Sequence, residues 1–250
     1  MSWDPGRYER FEAERRQPFD DLVVLCTPVP GGTAVDLGCG TGRLTAELHR
    51  AVGAARTTGV DSSAAMLARA PRDVPGLAFA EGDLAAWDGP PADLVLANAS
   101  FQWVDHHPAL LARLRRQLRP GGQLAFQVPA NFDHPSHRLA REVARQLGHR
   151  PPPDRGGAVL APERYAELLD GLGAVEQHVR LQVYGHQLAS TTEVVAWVSG
   201  TLLTAYREAM DPGDYDAFVD RYRQRLLEAL GDHRPYFYAF PRILCRARFP

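Results

Sequence analysis

Lysine is absent from this chain, so all 28 of its basic residues are arginine. Schiff-base chemistry and a lysine general base are therefore excluded. So is the phosphate-binding loop, whose GxxxxGK signature needs that amine. Cysteine is scarce: Cys26, Cys39 and Cys245 are scattered without CxxC spacing. Neither a disulfide framework nor a zinc site is expected from them. No group of His, Asp and Glu has metal-ligand spacing either, which predicts no metal. Long apolar runs are also missing, since a membrane span needs ~18 or more such residues. The opening "MSWDPGRYERFEAERR" lacks the charged-then-apolar layout of a signal peptide. A cytoplasmic protein without a membrane partner is expected. A net charge of -2, with both signs intermixed, provides no field for nucleic acid and points to a small-molecule partner.

What is present is a regular alternation. Apolar runs bounded by turn residues recur at 34–39, 57–61, 77–81, 93–98 and 123–128. Helix-period stretches such as "GRLTAELHRAV" and "HPALLARLRRQL" separate them. Strands apolar throughout, alternating with helices, predict an α/β doubly wound parallel sheet covered on both faces. The pattern changes after a helix near 135–147, where a Pro- and Gly-rich loop at 148–162 is long enough to read as a lid or mobile segment. A short helix at 162–172, a long strand near 175–188, helices near 191–209 and 212–230, and a final strand complete the reading. Helices placed between two late strands predict a cap. The expectation is a single domain, 1–250, with a core of about 20–188 and 233–250, an N-terminal lid segment at 1–19 and a cap at about 189–232. The "LARLRRQLRPGG" run reads as an exposed helix face.

The stretch "VDLGCGTGRLT" places Gly38, Gly40 and Gly42 where the first strand gives way to a helix. There the backbone must turn sharply and approach a ligand. A dinucleotide fingerprint wants glycine or alanine where this chain has Arg43. Asp36, just before the turn, suits a cation and opposes a pyrophosphate. S-adenosylmethionine (SAM), which carries an ammonium and a sulfonium, fits that charge. Further polar groups close the following strands. Asp61 is positioned for ribose hydroxyls, with Ser62 as a helix cap and Met66 against the adenine. Asp83 and the Leu84 amide are expected at the adenine edge, and Asn98 opposite the sulfonium.

With these residues the chain resembles the class I methyltransferases. Over nearly its whole length it is similar to the trans-aconitate methyltransferase family. The shared segments are "WDPGRYERFEAERRQP", "VDLGCGTGRLT", "LANASFQWVDHHPAL", "HRLAREVA", "GHQL", "VAWV", "DRYRQRLLEAL" and "YAFPRILCRAR". The resemblance implies that Tyr8 and Arg15 fold over the methionine end of the cofactor and that Trp103 walls the transfer site. Read from the residues alone, Trp3, Tyr8 and Phe11 equally make an amphipathic helix. Two positions depart from the family pattern. Gln17 stands where an arginine is usual, and the run Leu202 to Tyr206 lacks another. Buried carboxylates need cationic partners, so for a polycarboxylate they must come from elsewhere.

Candidate acceptor-binding residues are Gln102, Asn131, His137, Arg141, Tyr184, His186, Trp197, Tyr206 and Arg242, the last farther from the cofactor edge. His137 and His186 are the candidate bases, should the acceptor need one. Both also read as structural histidines, Arg141 and Arg242 as salt-bridge partners, and Trp197 as core. His106 and His107 read as capping or surface residues. The last strand is expected to run antiparallel, which brings Tyr236 to Tyr238 to the cofactor edge. The function expected is methyl transfer from SAM to a small molecule, foremost a carboxylate oxygen, by a monomer or homodimer. Two alternatives remain open from the sequence: a biosynthetic O-, N- or C-methyltransferase acting on a less charged metabolite, and a SAM-binding protein that transfers no methyl.

Overall fold

A computed structural model describes residues 12–250, with side chains from residue 16 onward. Its sheet has seven strands in the order β3-β2-β1-β4-β5-β7-β6. They are β1 (Thr33–Leu37), β2 (Arg56–Asp61), β3 (Leu77–Glu81), β4 (Ala92–Asn98), β5 (Leu118–Pro129), β6 (Glu176–Leu188) and β7 (Tyr236–Arg248). The pairs β1 with β2, β1 with β4, β2 with β3 and β4 with β5 are parallel, whereas β7 runs antiparallel to β5. The doubly wound α/β expectation, antiparallel last strand included, holds. The strand order explains the burial. β1 and β4 are nearly continuous buried runs because neighbours and covering helices enclose them, while the outer strand β3 is half exposed.

Among the described residues the α-helices, numbered along the chain, are α1 (Glu12–Leu25), α2 (Arg43–Val52), α3 (Ala64–Leu67), α4 (His107–Arg116), α5 (Pro135–Gln146), α6 (Pro162–Gly171), α7 (Glu193–Ser199), α8 (Leu202–Ala209) and α9 (Pro212–Leu230). The single helix expected at 191–209 is in fact two, α7 and α8. Gly200 closes α7 and Thr201 leaves the helical region, with φ -136°. Ser199 also donates to the Val195 carbonyl at 2.6 Å, the kind of side-chain competition that loosens a helix end.

By its contacts the chain divides into two compact units. The larger holds residues 15–130, 155–182 and 241–250. Its apolar core centres on Leu37, Val95, Phe101, Leu111, Phe126, Tyr165 and Ile243. The smaller holds 12–14, 131–154 and 183–240 among the described residues. Its own core contains Leu139, Val143, Trp197, Tyr206, Phe218, Tyr222 and Tyr238. The smaller unit therefore takes in α5 as well as the helices between β6 and β7.

Candidate functional site

In the larger unit the registers set the geometry. Asp36 lies level with Gly59 and Leu96, and Asp61 lies level with Glu81. The carboxyl ends of β3, β2, β1 and β4 therefore share one edge of the sheet, and Asp36, Asp61, Asp83 and Asn98 are brought to it. That edge is where open α/β sheets bind ligands.

The glycine turn is built for close approach. Gly38, Gly40 and Gly42 have φ of 79°, 58° and 69°, the left-handed region that side-chain-bearing residues enter at a cost. Two of them are also forced by neighbours. A Cβ on Gly38 would lie 2.3 Å from the Ser100 Cβ, and one on Gly42 would lie 2.3 Å from the Phe79 ring. Gly40 differs, since a Cβ there would meet nothing within 4 Å. Its amide donates to Asp61 Oδ2 at 2.8 Å, and the other oxygen of Asp61 accepts from the Ser63 amide at 2.9 Å. Asp61 thus ties the turn to the end of β2, with lone pairs left over on both oxygens.

Asp36 is 3% exposed. Its Oδ2 accepts from the Thr45 hydroxyl at 2.6 Å, while Oδ1 has no partner among the described residues. Burial pushes its pKa up to about 6; the Thr45 bond opposes this and the charge of Asp61 adds to it. A buried carboxylate with one orphaned oxygen is costly. A cation brought to it would relieve that cost, so the residues present fit the ammonium end of SAM. Cys39 between the glycines is no nucleophile, because burial and the charges of Asp36 and Asp61 hold its thiol far above the usual range.

Other expected residues are placed as follows. Ser63, not Ser62, caps α3: its hydroxyl accepts from the Met66 amide at 3.3 Å, and Ser62 is exposed. The two serines are adjacent in the chain, and only the backbone decides which one reaches. Met66 is buried. Asp83 is exposed and caps its own turn by accepting from the Ala85 amide at 2.8 Å. Asn98 accepts from Gln127 at 2.7 Å. Gln102 is buried and donates to the Ala99 carbonyl at 2.6 Å, leaving Oε1 without a partner among the described residues. Trp103 is half-buried, and its carbonyl accepts from Arg155 at 3.5 Å. Tyr8 and the side chain of Arg15 lie outside the described residues.

His107 corrects the reading of it as a capping or surface residue. It is 1% exposed, its Nε2 faces the Phe101 carbonyl at 2.9 Å, and its Nδ1 faces the Tyr165 hydroxyl at 2.5 Å. An amphipathic α4 points its first residue inward, which the local sequence does not reveal. The arginine run on α4 is also not wholly solvent-facing. Arg113 is part-buried and donates to the carbonyls of Leu84, at 2.9 Å, and Ala85. It thereby clamps the loop that carries Asp83 and Leu84. Neither Arg113 nor Ser100, which donates to the Leu37 carbonyl at 2.6 Å, carries a signal in the sequence. Both contacts join residues far apart in the chain.

In the smaller unit, Asn131 is 4% exposed and donates to the Tyr238 hydroxyl at 3.3 Å, with Oδ1 unpartnered among the described residues. Tyr184, His186, Trp197 and Tyr206 are all buried. His186 lies over Trp197, with ring centroids 4.8 Å apart, and Tyr206 stacks on Phe218 at the same distance. Arg141 pairs with Asp154 at 3.0 Å. His137, Arg141, Asp154 and Tyr206 are electrostatically coupled. Burial, aided by the positive charges of His134 and Arg141, lowers the pKa of His137 to about 4. Burial raises Tyr206 to about 12. Arg242 belongs to the larger unit and donates to Gln127 at 3.0 Å.

Known proteins agree with this architecture. Residues 34–122 match the family described as Methyltransferase domain. The YcgJ protein from Bacillus subtilis has the same fold, with a TM-score of 0.64 at 10% identity over 94% of this chain and 98% of that one. Fold, glycine turn and strand-end acids together define a class I, SAM-dependent methyltransferase. A trans-aconitate 2-methyltransferase of Deinococcus radiodurans is 43% identical over 100% of this chain and 99% of its own length. One of Klebsiella pneumoniae is 37% identical over 98% and 97%. The chain belongs to the trans-aconitate 2-methyltransferase family.

Proposed function

We propose that the enzyme methylates a carboxylate oxygen of a small polycarboxylate, trans-aconitate or a close analogue. The observation that carries this reading is the similarity, over nearly the whole length, to trans-aconitate 2-methyltransferases at 37% to 43% identity, and the state of His137 accords with it. A general base works best with a pKa near the working pH, and burial leaves this imidazole at about 4, a poor proton acceptor. A carboxylate acceptor needs no such base, because it is already ionised near pH 7. Arg141, half-buried and paired with the half-exposed carboxylate of Asp154, can take over a substrate carboxylate. It thereby supplies a cation where Gln17 and the run 202–206 do not.

When bound, SAM supplies the methyl group on its sulfonium. The chain's residues hold and orient. Asp36 takes the ammonium, and the Gly38 and Gly40 backbone lets the methionine end approach. Asp61 would receive the ribose, and Met66, Asp83 and Leu84 the adenine. Asn98 and Trp103 would flank the transfer point. As acceptor-binding residues we propose Gln102 in the larger unit and Asn131, His137, Arg141, Tyr184, His186 and Tyr206 in the smaller. Their contribution is near-attack positioning and exclusion of water. No described helix is long and apolar enough to cross a membrane, which suits work on a free metabolite in the cytoplasm, by a monomer or homodimer.

Methyl-labelled SAM with trans-aconitate and a panel of carboxylates, phenols and amines tests this reading. Label that enters a carboxylate and is released by mild alkali supports it. Base-stable label on a phenol, amine or carbon, with no turnover of carboxylates, overturns it.

A further inference from the structure

Two arginines stand four residues apart on β7, Arg242 and Arg246, and two glutamines stand four apart on β5, Gln123 and Gln127. Even spacing puts each pair on one face of its strand. In the antiparallel register Gln127 is level with Leu244 and Gln123 with Arg248. Each arginine therefore meets its glutamine on the diagonal. Arg242 Nη1 donates to Gln127 Oε1 at 3.0 Å, and Arg246 Nη2 and Nε donate to Gln123 Oε1 at 3.0 and 3.1 Å. A guanidinium only donates. The orientation of both amides is thereby decided, with oxygen toward the arginine and nitrogen away.

The two amide nitrogens serve different ends of the sheet. Gln123 Nε2 donates to the Thr27 carbonyl at 2.9 Å, and its oxygen also accepts from the Thr27 amide at 2.9 Å. That arrangement fastens the segment ahead of β1. Gln127 Nε2 donates to Asn98 Oδ1 at 2.7 Å, at the carboxyl end of β4. Because Nε2 cannot accept, Asn98 must turn its oxygen toward it, which leaves Nδ2 on the opposite side. The backbone is held as well: the Ala99 amide donates to the Gln127 carbonyl at 3.0 Å, and Ala99 itself has φ 52°. Gln127 and Arg242 are 1% and 6% exposed, so water does not substitute for either bond.

We propose that Arg242, acting through Gln127, is a positioning residue for methyl transfer. It fixes the Asn98 amide so that the end of β4 offers an NH2 donor, suited to hold an oxygen of the acceptor carboxylate. The proposal rests on the carboxylate reading for the acceptor and on the hydrogen bonds alone for the orientation.

The test is Gln127→Glu, with Gln123→Glu as its counterpart at the sister site. Each keeps a side chain of the same shape and an acceptor for its arginine, and each loses the N–H donor. The carboxylate introduced by Gln127→Glu would force Asn98 to reverse and present its oxygen. The measurements are steady-state kinetics with trans-aconitate, affinity for S-adenosylhomocysteine, and the nitrogen-resolved NMR signal of the Asn98 side-chain amide. Gln127→Glu is expected to raise the acceptor KM by about 10- to 100-fold, the scale of one hydrogen bond to a charged group. It should also shift the Asn98 amide signal, with product affinity changed less than about threefold. Gln123→Glu should leave the acceptor KM and the Asn98 signal unmoved. Arg242→Lys, still a donor-only cation, should retain the wild-type Asn98 signal. An unmoved Asn98 signal in Gln127→Glu, or equal kinetic losses in the two glutamate variants, would overturn the proposal. If the wild type methylates no carboxylate, the acceptor reading fails on that result, and the Asn98 signal alone decides the orientation.

Discussion

Gly38 and Gly40 sit two residues apart in one turn, both at positive φ, yet alanine at each should do opposite things. Either substitution forces a side-chain-bearing residue into the left-handed region, at roughly 1–2 kcal/mol. At Gly38 the new methyl would also lie 2.3 Å from the Ser100 Cβ and 2.9 Å from its hydroxyl. Such overpacking adds roughly 1–3 kcal/mol. The total for Gly38→Ala is about 2–5 kcal/mol, which for a chain of this size lowers Tm by roughly 4–20 °C. At Gly40 an added methyl meets nothing within 4 Å, so only the backbone cost remains, a fall of roughly 2–8 °C. That open space is what the cofactor backbone approach requires, and the methyl fills it. Gly40→Ala should therefore fold and lose most of its affinity for S-adenosylhomocysteine. Gly38→Ala should be limited chiefly by stability. Thermal melts of both variants, paired with calorimetric titration of S-adenosylhomocysteine, read the two effects separately. Wild-type affinity in Gly40→Ala, or wild-type stability in Gly38→Ala, would refute the assignment of these two roles.

Asp36 gives a pH signature. Its folded pKa of about 6 lies above the usual carboxylate value, so between about pH 4 and 6 the native state binds more protons than the unfolded one and stability falls as pH rises. The shift amounts to roughly 3 kcal/mol at 1.36 kcal/mol per unit. Asp36→Asn should remove that decline in urea titrations of the cofactor-free protein across pH 4–8, while weakening SAM binding at pH 8. His134 and His137 act in the opposite sense. Burial holds both at about 4, so the unfolded state binds more protons between pH 6.5 and 4 and stability is lost on acidification through that window. Circular dichroism melts of His137→Gln should show a shallower loss there. Tyr165→Phe removes the hydroxyl that His107 Nδ1 and the Leu160 amide share. Leaving those groups unsatisfied costs about 1–3 kcal/mol, measurable by denaturant unfolding, with the affinity for S-adenosylhomocysteine retained.

The sequence by itself determined the alternating layers, because apolar strand runs and amphipathic helices are periodicities that any reader of the chain sees. It also determined the glycine turn and the acids at the strand ends, since only certain residue types can occupy a tight strand-to-helix turn facing a cation. Family membership is likewise carried by contiguous segments. Tertiary structure decided what depends on partners distant in the chain. The choice of Ser63 over Ser62 as the α3 cap and the break at Gly200 are set by backbone torsions that a string of residue types leaves open. The burial of His107 on Tyr165, the clamp of Arg113 on Leu84 and the chain from Arg242 through Gln127 to Asn98 each join segments tens of residues apart. A hydrogen bond needs two groups within about 3 Å. Sequence periodicity fixes which face of an element a side chain occupies, but which distant group stands across from it is set only when the strands pair and the helices dock.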